Sequence, residues 1–309
     1  MAAAVAIRTC EDGRVTQAAP RPRLIATDLD GTLLCHGGTV SARTAAALAA
    51  AEQAGLQVVF VTGRPPRWMQ LLREHIGGHG VAICSNGGAV YDVRRELLLE
   101  SFPLTPETAR TVVELLRERL PGTAFAFEYP GGFSREPHYE VQMWGDAEPH
   151  TVAPAEELLA DGRPTAGDGA GGNGGAGDGA TASYKILAKH PALDPDTFLA
   201  TARAIVGPLA EITRSSPIAL LEISAPGVTK ASTLARWCAE QGIDRTEVVA
   251  FGDMPNDLEM LAWAGDSYAV ANAHPEVLAA VARHTVSNQE DGVALVIEQI
   301  VSSLSRTAR

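Results

Sequence analysis

Short apolar runs, separated by a helix-forming stretch, occur near the start of this 309-residue chain. Residues 24–27 and 58–61 are apolar or β-branched, and between them lies the alanine-rich segment 41–54, which Ser41 can cap and Gly55 can end. Strands that are apolar along their whole length are buried on both faces, and a helix between two of them implies parallel pairing. This part of the chain therefore predicts a β-α-β unit.

The same alternation returns in the last third of the chain. The pattern there predicts helices at 230–241, 256–264, 275–282 and 292–301, and strands at 248–251 and 267–270. Because both parts carry the same pattern, we expect residues 23–90 and 218–309 to form one α/β core with a Rossmann-like, doubly wound parallel sheet.

The middle of the chain lacks this regular alternation, and we expect residues 91–217 to form an inserted α+β cap domain. It is predicted to contain strands at 125–129, 139–143 and 183–188, and helices at 106–119 and 195–206. Residues 161–182 hold nine glycines and no large apolar side chain, which favours a disordered loop over a phosphate-binding glycine loop. Residues 1–22 end in a segment closed by Pro20 and Pro22, and we expect a disordered tail.

Charge and cysteine spacing limit the partners and the compartment. The chain has 25 basic and 37 acidic residues, a net charge of −12, and no cluster of Lys and Arg, so we expect no nucleic acid partner. No apolar run reaches the length of a membrane span, and the four cysteines lie far apart. We therefore expect a cytoplasmic protein with reduced thiols and no membrane contact; its oligomeric state is open.

Two carboxylates follow the first predicted strand. Residues 28–32 read Asp-Leu-Asp-Gly-Thr, so Asp28 and Asp30 stand at the carboxyl end of a parallel strand, where such sheets build their sites, and Gly31 permits a sharp turn. The pair alone is also typical of a solvated turn or a calcium loop. Its position between two apolar runs favours a functional site.

The second predicted strand ends in a candidate anion-binding corner. Residues 62–65 read Thr-Gly-Arg-Pro, and a hydroxyl with backbone N–H groups at a strand end can bind an anion. Lys230 begins a predicted helix and can bring a positive charge to the same anion. Each has an ordinary alternative, because Thr62 can cap a helix and a lysine at a helix end is commonly solvated.

The segment 251–257, Phe-Gly-Asp-Met-Pro-Asn-Asp, carries the most specific signal. An apolar strand leads into Gly252, and the carboxylates of Asp253 and Asp257 then fall one helical turn apart. Such oxygens suit a hard cation, and Mg²⁺ takes a few carboxylates while keeping waters and phosphate oxygens as further ligands. Asn256 and Asp257 also suit a helix start, whereas Asp253 has no comparable structural role.

These four segments, in this order, resemble the motifs of the haloacid dehalogenase superfamily, and specifically its Cof-like phosphatases, whose large α/β cap lies between the second and third motifs. The resemblance covers about residues 24–303. Residues 85–88 (Ser-Asn-Gly-Gly), and Asn288 with residues 291–293, also look like segments of that family. The amino-terminal tail and the glycine-rich insertion depart from it.

The resemblance implies a Mg²⁺-dependent phosphomonoester hydrolase for small metabolites such as sugar phosphates, nucleotides, FMN or pyridoxal phosphate. Asp28 would be the nucleophile that forms an aspartyl-phosphate, and Asp30 would protonate the leaving group and then deprotonate water. It also implies two sets of binding residues: for the metal Asp28, the backbone carbonyl of Asp30, Asp253 and Asp257, and for the substrate phosphate Thr62, Gly63, Lys230 and Asn256.

Other interpretations stay open at this point. A phosphoryl-transfer mutase on the same scaffold shares these motifs. A phospho-acceptor signalling protein also combines aspartates with a Thr and a Lys, but in one small domain. An inactive binding protein is a third interpretation, disfavoured by the intact motif residues. Candidate substrate contacts in the cap, where polar and aromatic side chains gather, are Glu128, Arg135, His138 and Tyr139.

Overall fold

The computed structural model describes residues 7–9, 15–17, 21–73, 80–129, 132–141, 150–160 and 182–307. In chain order the strands are β1 (Ile7–Thr9), β2 (Val15–Gln17), β3 (Leu24–Thr27), β4 (Gln57–Val61), β5 (Val81–Cys84), β6 (Ala89–Asp92), β7 (Leu97–Ser101), β8 (Ala124–Tyr129), β9 (Gly132–Arg135), β10 (Thr151–Val152), β11 (Lys185–Lys189), β12 (Glu211–Thr213), β13 (Leu220–Ser224), β14 (Val248–Gly252), β15 (Asp266–Val270) and β16 (His284–Thr285). The helices are α1 (Ala42–Gln53), α2 (Gln70–Arg73), α3 (Pro106–Arg119), α4 (Ala155–Leu158), α5 (Pro195–Val206), α6 (Lys230–Glu240), α7 (Leu258–Trp263), α8 (Pro275–Ala280) and α9 (Gly292–Thr307).

The core is built on an eight-stranded sheet with the order β16-β15-β14-β3-β4-β5-β6-β7. The strands from β16 to β5 are parallel, and β6 and β7 extend the sheet in antiparallel pairing. Every residue of β3 and β14 is buried, so both faces of the sheet are covered. Helix α1 packs against α9, and α6 packs against α7. The prediction of a doubly wound α/β core is confirmed.

A second, six-stranded sheet forms the cap and has the order β10-β9-β8-β11-β13-β12. Its pairs are antiparallel except for β10 with β9. A separate apolar cluster that includes Phe127, Phe198 and Ile223 lies on one face of this sheet, where α3 and α5 pack against each other. Within the described part of the chain, no helix is long and apolar enough to cross a membrane.

Local signals set the helix bounds. Ser41 caps α1 by accepting the N–H of Thr44, and Thr105 and Asp194 cap α3 and α5, each with a proline at the first helical positions. Helices α3 and α5 have the bounds that the sequence predicts. Helix α9 runs past the expected residue 301, because nothing in its sequence ends it there.

The sheet membership moves the expected domain boundaries at residues 90 and 217. Strands β6 and β7, up to Ser101, belong to the core sheet, and β13, from Leu220, belongs to the cap sheet. The alternation of strands and helices could not reveal this, because antiparallel neighbours are joined by short turns without a crossover helix. The chain therefore leaves the core near residue 102 and returns to it near residue 226.

Two further expectations differ from the structure. Residues 139–141 form no strand; β9 pairs with β8 instead, and the ring of Tyr139 packs edge-on against Phe133, so the apolar side chain there reflects packing and not strand pairing. In the expected disordered tail 1–22, β1 and β2 pair in antiparallel register; Ile7, Thr9 and Val15 are β-branched residues that favour strands. The glycine-rich loop, apart from residue 182, lies outside the described residues, as do residues 142 and 143.

The core sheet and its edge give a matched pair of leucines. Leu24 is fully buried in β3, whereas Leu97 in β7 is 42% exposed. We expect Leu24→Ala to lower the free energy of unfolding by about 2–5 kcal/mol, because it leaves a cavity in the core, and Leu97→Ala to change it by less than about 0.5 kcal/mol. Urea unfolding of both variants measures this; equal losses would show that β3 is not at the centre of the core.

Candidate active site

Three neighbouring strands bring the polar segments to one edge of the core sheet. Strand β3 lies between β4 and β14, and all three run parallel, so their carboxyl ends meet. Asp28 follows β3, Thr62 follows β4 and Asp253 follows β14. Helix α6 adds Lys230 from a fourth segment, so side chains from distant parts of the sequence lie together.

Lys230 is a buried cation between two buried carboxylates. Its Nζ donates to Oδ1 of Asp28 at 2.6 Å and to Oδ1 of Asp257 at 2.7 Å. Burial works against its charge, but the two carboxylates outweigh burial and raise the pKa of Lys230 above its ordinary value. Thr229 caps α6 by accepting the N–H of Ser232, which fixes the start of the helix and with it the position of this lysine.

Asp257 holds the loop that follows β14. Its Oδ2 accepts the backbone N–H groups of Asp253 and Met254, each at 3.0 Å. A Cβ on Gly252 would lie only 2.6 Å from the Cβ of Asp257, so the close approach requires glycine. Both oxygens of Asp257 thus have partners, and this side chain positions Lys230 and the loop.

Asp28, Asp253 and Asp257 form a buried acidic cluster whose oxygens lie within 4.8 Å of one another. Burial raises the pKa of Asp28 well above its ordinary value, although Lys230 opposes the shift. Burial and the Asp257 carboxylate raise the pKa of Asp253 to about 7, against a hydrogen bond from Thr32. The two raised pKa values show that Lys230 alone does not compensate this group of three carboxyl groups for burial and mutual repulsion.

This donor set fits a hard divalent cation. Oδ1 of Asp28 accepts from Lys230, and Oδ1 of Asp253 accepts from Thr32 at 2.7 Å, so Oδ2 of each aspartate takes no part in these bonds. A Cβ on Gly31, where φ is +80°, would lie 2.3 Å from Oδ2 of Asp253, so only glycine lets the two loops approach this closely. Carboxylate oxygens brought together in this way suit a cation that prefers oxygen ligands.

Asp30 lies apart from the buried cluster. Its side chain is 57% exposed, and Arg64 holds it with two hydrogen bonds, from Nε to Oδ2 at 2.7 Å and from Nη2 to Oδ1 at 2.5 Å. The buried hydroxyl oxygen of Thr62 accepts the N–H of Arg64 at 3.0 Å. A hydroxyl that accepts in this way still has its own proton to donate to an anion.

The cap sheet places a polar group of side chains over this edge of the core. Lys185 on β11 donates to Oε1 of Glu222 at 3.1 Å and to the backbone oxygen of Gly63 at 2.7 Å. Asn86 donates to Oε2 of Glu222 at 2.8 Å and accepts from Asn256 at 3.2 Å. A chain of hydrogen bonds thus connects the cap to the loop after β14.

Sequence reasoning missed Lys185 and Glu222, and it noted Asn86 only as part of the family-like segment 85–88. A signal for Lys185 and Glu222 exists: Glu222 is the single charge of β13, and Lys185 is the buried one of the two lysines at the ends of the otherwise apolar β11. Asn86 adopts left-handed backbone angles, φ 56° and ψ 32°, as does Ser85 at φ 51°. Such angles are costly outside glycine and are kept where the surroundings fix them.

An open pocket with a volume of about 250 Å³ lies between core and cap. Its lining includes Asp28, Asp30, Gly63 and Asn256 from the core and Glu128, Lys185 and Glu222 from the cap. Of the four expected cap contacts, only Glu128 lines it. Arg135 donates to His150 and to backbone oxygens, His138 is exposed, and Tyr139 is buried beside Phe133.

A parallel sheet with a buried Lys and carboxylate cluster at its carboxyl edge, facing a pocket under a second sheet, is suited to the hydrolysis of phosphate esters. The chain belongs to the haloacid dehalogenase-like hydrolase family, whose model matches residues 25–153 and 177–297. The family resemblance of the four sequence motifs is thereby confirmed.

Curated relatives match along nearly the whole chain. Pyridoxal phosphate phosphatase YbhA of Escherichia coli is 29% identical over 282 residues, covering 89% of this chain and 97% of the relative. The 5-amino-6-(5-phospho-D-ribitylamino)uracil phosphatase YitU of Bacillus subtilis is 27% identical over 288 residues, covering 91% and 98%. Within its family, this chain is a phosphatase.

Solved structures share the fold. A haloacid dehalogenase-like hydrolase from B. subtilis has a TM-score of 0.73 at 21% identity, covering 89% of this chain and 99% of that one. The phosphatase BT1666 from Bacteroides thetaiotaomicron has a TM-score of 0.71 at 20% identity, covering 94% and 99%. At this level of identity the likeness concerns the fold alone.

The balance of charge around Lys230 predicts a large effect of removing it. In buffer without divalent cations at pH 7, we expect Lys230→Met to lower the free energy of unfolding by about 3–5 kcal/mol, because two buried carboxylates lose their counter-charge. The loss should shrink as the pH falls toward 5, since burial raises the pKa of the Asp28 carboxyl group, which then binds a proton in the folded state and needs no cation. Urea unfolding at both pH values measures it.

Lys189→Met is the matched control. Lys189 is only partly buried, and within the described ranges its Nζ bonds a backbone oxygen of Glu140 and no carboxylate. We expect its loss to cost less than about 1 kcal/mol at either pH. A similar cost for both lysines would contradict the assigned role of Lys230.

Proposed function

We propose that this phosphatase hydrolyses small phosphate monoesters through an aspartyl-phosphate on Asp28, with Mg²⁺ as its cofactor. The observation that carries the proposal is the buried cluster in which Lys230 binds Asp28 and Asp257 while Asp253 lies beside them. The carboxylates of this cluster suit a divalent cation, and a cation bound there would offset the negative charge that otherwise keeps an anionic nucleophile away from a phosphate dianion.

Asp28 and Asp253 would hold the Mg²⁺ with their second oxygens, together with the backbone carbonyl of Asp30, and Asp257 would orient this set through the loop after β14. When bound, the metal withdraws charge from the phosphoryl oxygens and from the carboxylates around them. Lys230 and Thr62 would bind the other phosphoryl oxygens, with the N–H of Gly63 and the side-chain amide of Asn256 nearby.

The reaction then has two steps. A carboxylate oxygen of Asp28 forms a bond to phosphorus as the bond between phosphorus and the ester oxygen breaks. The departing ester oxygen takes a proton from the Asp30 carboxyl group. A water then attacks phosphorus, gives its proton to the Asp30 carboxylate and displaces Asp28, which releases inorganic phosphate. Covalent catalysis thus replaces one difficult displacement by two easier ones.

The hydrogen bonds from Arg64 occupy the Asp30 carboxylate and have to break before Asp30 can transfer a proton to or from the substrate. In its two hydrogen bonds with Arg64, Asp30 acts as a carboxylate acceptor. The phosphate of an incoming substrate competes for the same guanidinium group, because bidentate binding suits phosphate as well as carboxylate. We propose that substrate draws Arg64 away and leaves Asp30 available for proton transfer.

The relatives narrow the substrates to be tested. Their names give pyridoxal phosphate and a phosphorylated ribitylaminouracil as substrates of those proteins. We propose a small phosphorylated metabolite of this kind, with the cap domain acting as a lid that excludes water from the pocket. We place the reaction in the cytoplasm, which rests on the wide spacing of the cysteines.

Replacing the nucleophile tests the covalent step. We expect Asp28→Asn to lower kcat for phosphate release by roughly 10³-fold or more, because the amide keeps the shape of the side chain but cannot attack phosphorus. Phosphate release from a panel of sugar phosphates, nucleotides, flavin mononucleotide and pyridoxal phosphate measures it. Transfer of phosphate to a second sugar without net release would instead indicate the mutase alternative.

Metal binding can be measured without turnover. We expect Mg²⁺ at 100 times its dissociation constant to stabilise the fold by about 2.7 kcal/mol and so raise Tm, because it binds the folded cluster and not the unfolded chain. Asp253→Asn should remove most of this rise and the phosphatase activity with it. Asp266→Asn, which changes a surface carboxylate paired with Arg283, is the control and should keep both.

A further inference from the structure

The two faces of the cap sheet differ: the face toward the core carries charged side chains, whereas the opposite face is apolar. Glu128 and Lys185 are directly opposite each other on β8 and β11, and Glu222 is opposite Leu187 on β13 and β11. The residues between them, such as Phe127 and Ile223, point to the apolar cluster of the cap. The face of the cap sheet over the pocket therefore presents two carboxylates and one ammonium group.

Two of these three side chains have strong partners already. Glu222 accepts from Lys185 and from Asn86, and although burial opposes it, Lys185 lowers the pKa of Glu222. Lys185 also donates to the backbone oxygen of Gly63. These two groups hold the cap against the core, so they have little capacity left for a ligand.

Glu128 differs from them, because it is buried and yet weakly bonded. Among the described residues, the donors that face its carboxylate are Ser85 Oγ at 3.5 Å, Lys185 Nζ at 3.6 Å and Arg67 Nη2 at 3.8 Å. All three distances are longer than a normal hydrogen bond. A carboxylate that is only 4% exposed and lines a pocket has room for a donor at a shorter distance.

Apolar side chains line the same pocket. Trp68 from the core, Leu187 and Leu220 from the cap sheet, and Met254 from the loop after β14 all contribute to its wall. Such a wall suits a flat or cyclic group better than an open polyol chain, because a polyol would lose hydrogen bonds to water along its length.

We propose that Glu128 accepts a hydrogen bond from a ring N–H or hydroxyl of the substrate, so that the preferred substrates are phosphomonoesters of small ring compounds that carry such a donor. The inference rests on the proposed function, since it assigns the part of the substrate beyond the phosphate. The two carboxylates of the cap also disfavour a second anionic group at this place.

A pair of substrates with and without the donor tests this. Pyridoxal 5′-phosphate and benzyl phosphate both carry a phosphate on a methylene group attached to a six-membered ring, but only the first has a ring nitrogen and a ring hydroxyl. We expect wild type to prefer pyridoxal 5′-phosphate, and Glu128→Gln to lower the ratio of the two kcat/KM values by roughly 10- to 100-fold, because a charged acceptor is lost.

Glu136→Gln is the matched control. Glu136 is another buried carboxylate of the cap; it accepts the N–H of Phe125 and Ala155 and does not line the pocket. We expect it to leave the ratio unchanged, whatever it does to stability. A ratio that stays constant in Glu128→Gln, or that falls equally in both variants, would overturn the assignment, as would a wild type without preference for pyridoxal 5′-phosphate.

A binding measurement separates this inference from the proposed function. If wild type hydrolyses no ester of the panel above, the proposed function fails, and calorimetry with pyridoxal 5′-phosphate and benzyl phosphate then decides the role of Glu128 alone. We expect tighter binding of pyridoxal 5′-phosphate than of benzyl phosphate, and loss of that difference in Glu128→Gln. Equal affinities in wild type would overturn the inference.

Discussion

The ion pairs of Lys230 are the interaction on which the site depends. A buried ammonium group is costly unless carboxylates surround it, and buried carboxylates are costly without a cation, so each side of the cluster makes the other possible. Asp28 follows β3, Asp257 belongs to the loop after β14, and Lys230 begins α6. The same contacts that stabilise the charges therefore fix Asp28, the loop and the helix in one arrangement.

Much of this arrangement could be predicted from the sequence, because local patterns determine it. Apolar runs followed by polar residues placed Asp28, Thr62 and Asp253 at the ends of parallel strands, and α3 and α5 have their expected bounds because caps and prolines mark them. The roles of these residues stay predictions. The expected domain boundary at residue 90 cuts through β6 and leaves β7 outside the core, since hairpin pairing gives no crossover signal.

The partners of the charges could not be predicted, because they depend on tertiary distances. Nothing in the local sequence indicates that Arg64 holds Asp30, or that both oxygens of Asp257 are engaged. Likewise, Lys185 and Glu222 belong to the site only because the cap sheet lies over this edge of the core. Sequence patterns identified which residues have the right chemistry, and the three-dimensional fold decided which of them meet.

The pairing of β3 with β14 has a consequence for how the protein folds. These strands are adjacent at the centre of the core, yet Lys230 and Asp28 beside them are 202 positions apart in the chain. The contacts within the cap are more local, so its loops close at a lower cost in chain entropy. During synthesis β3 lacks its partner β14, and its apolar surface stays exposed, until the last third of the chain emerges. The cap is thus the part that can fold first, and the catalytic core is completed last.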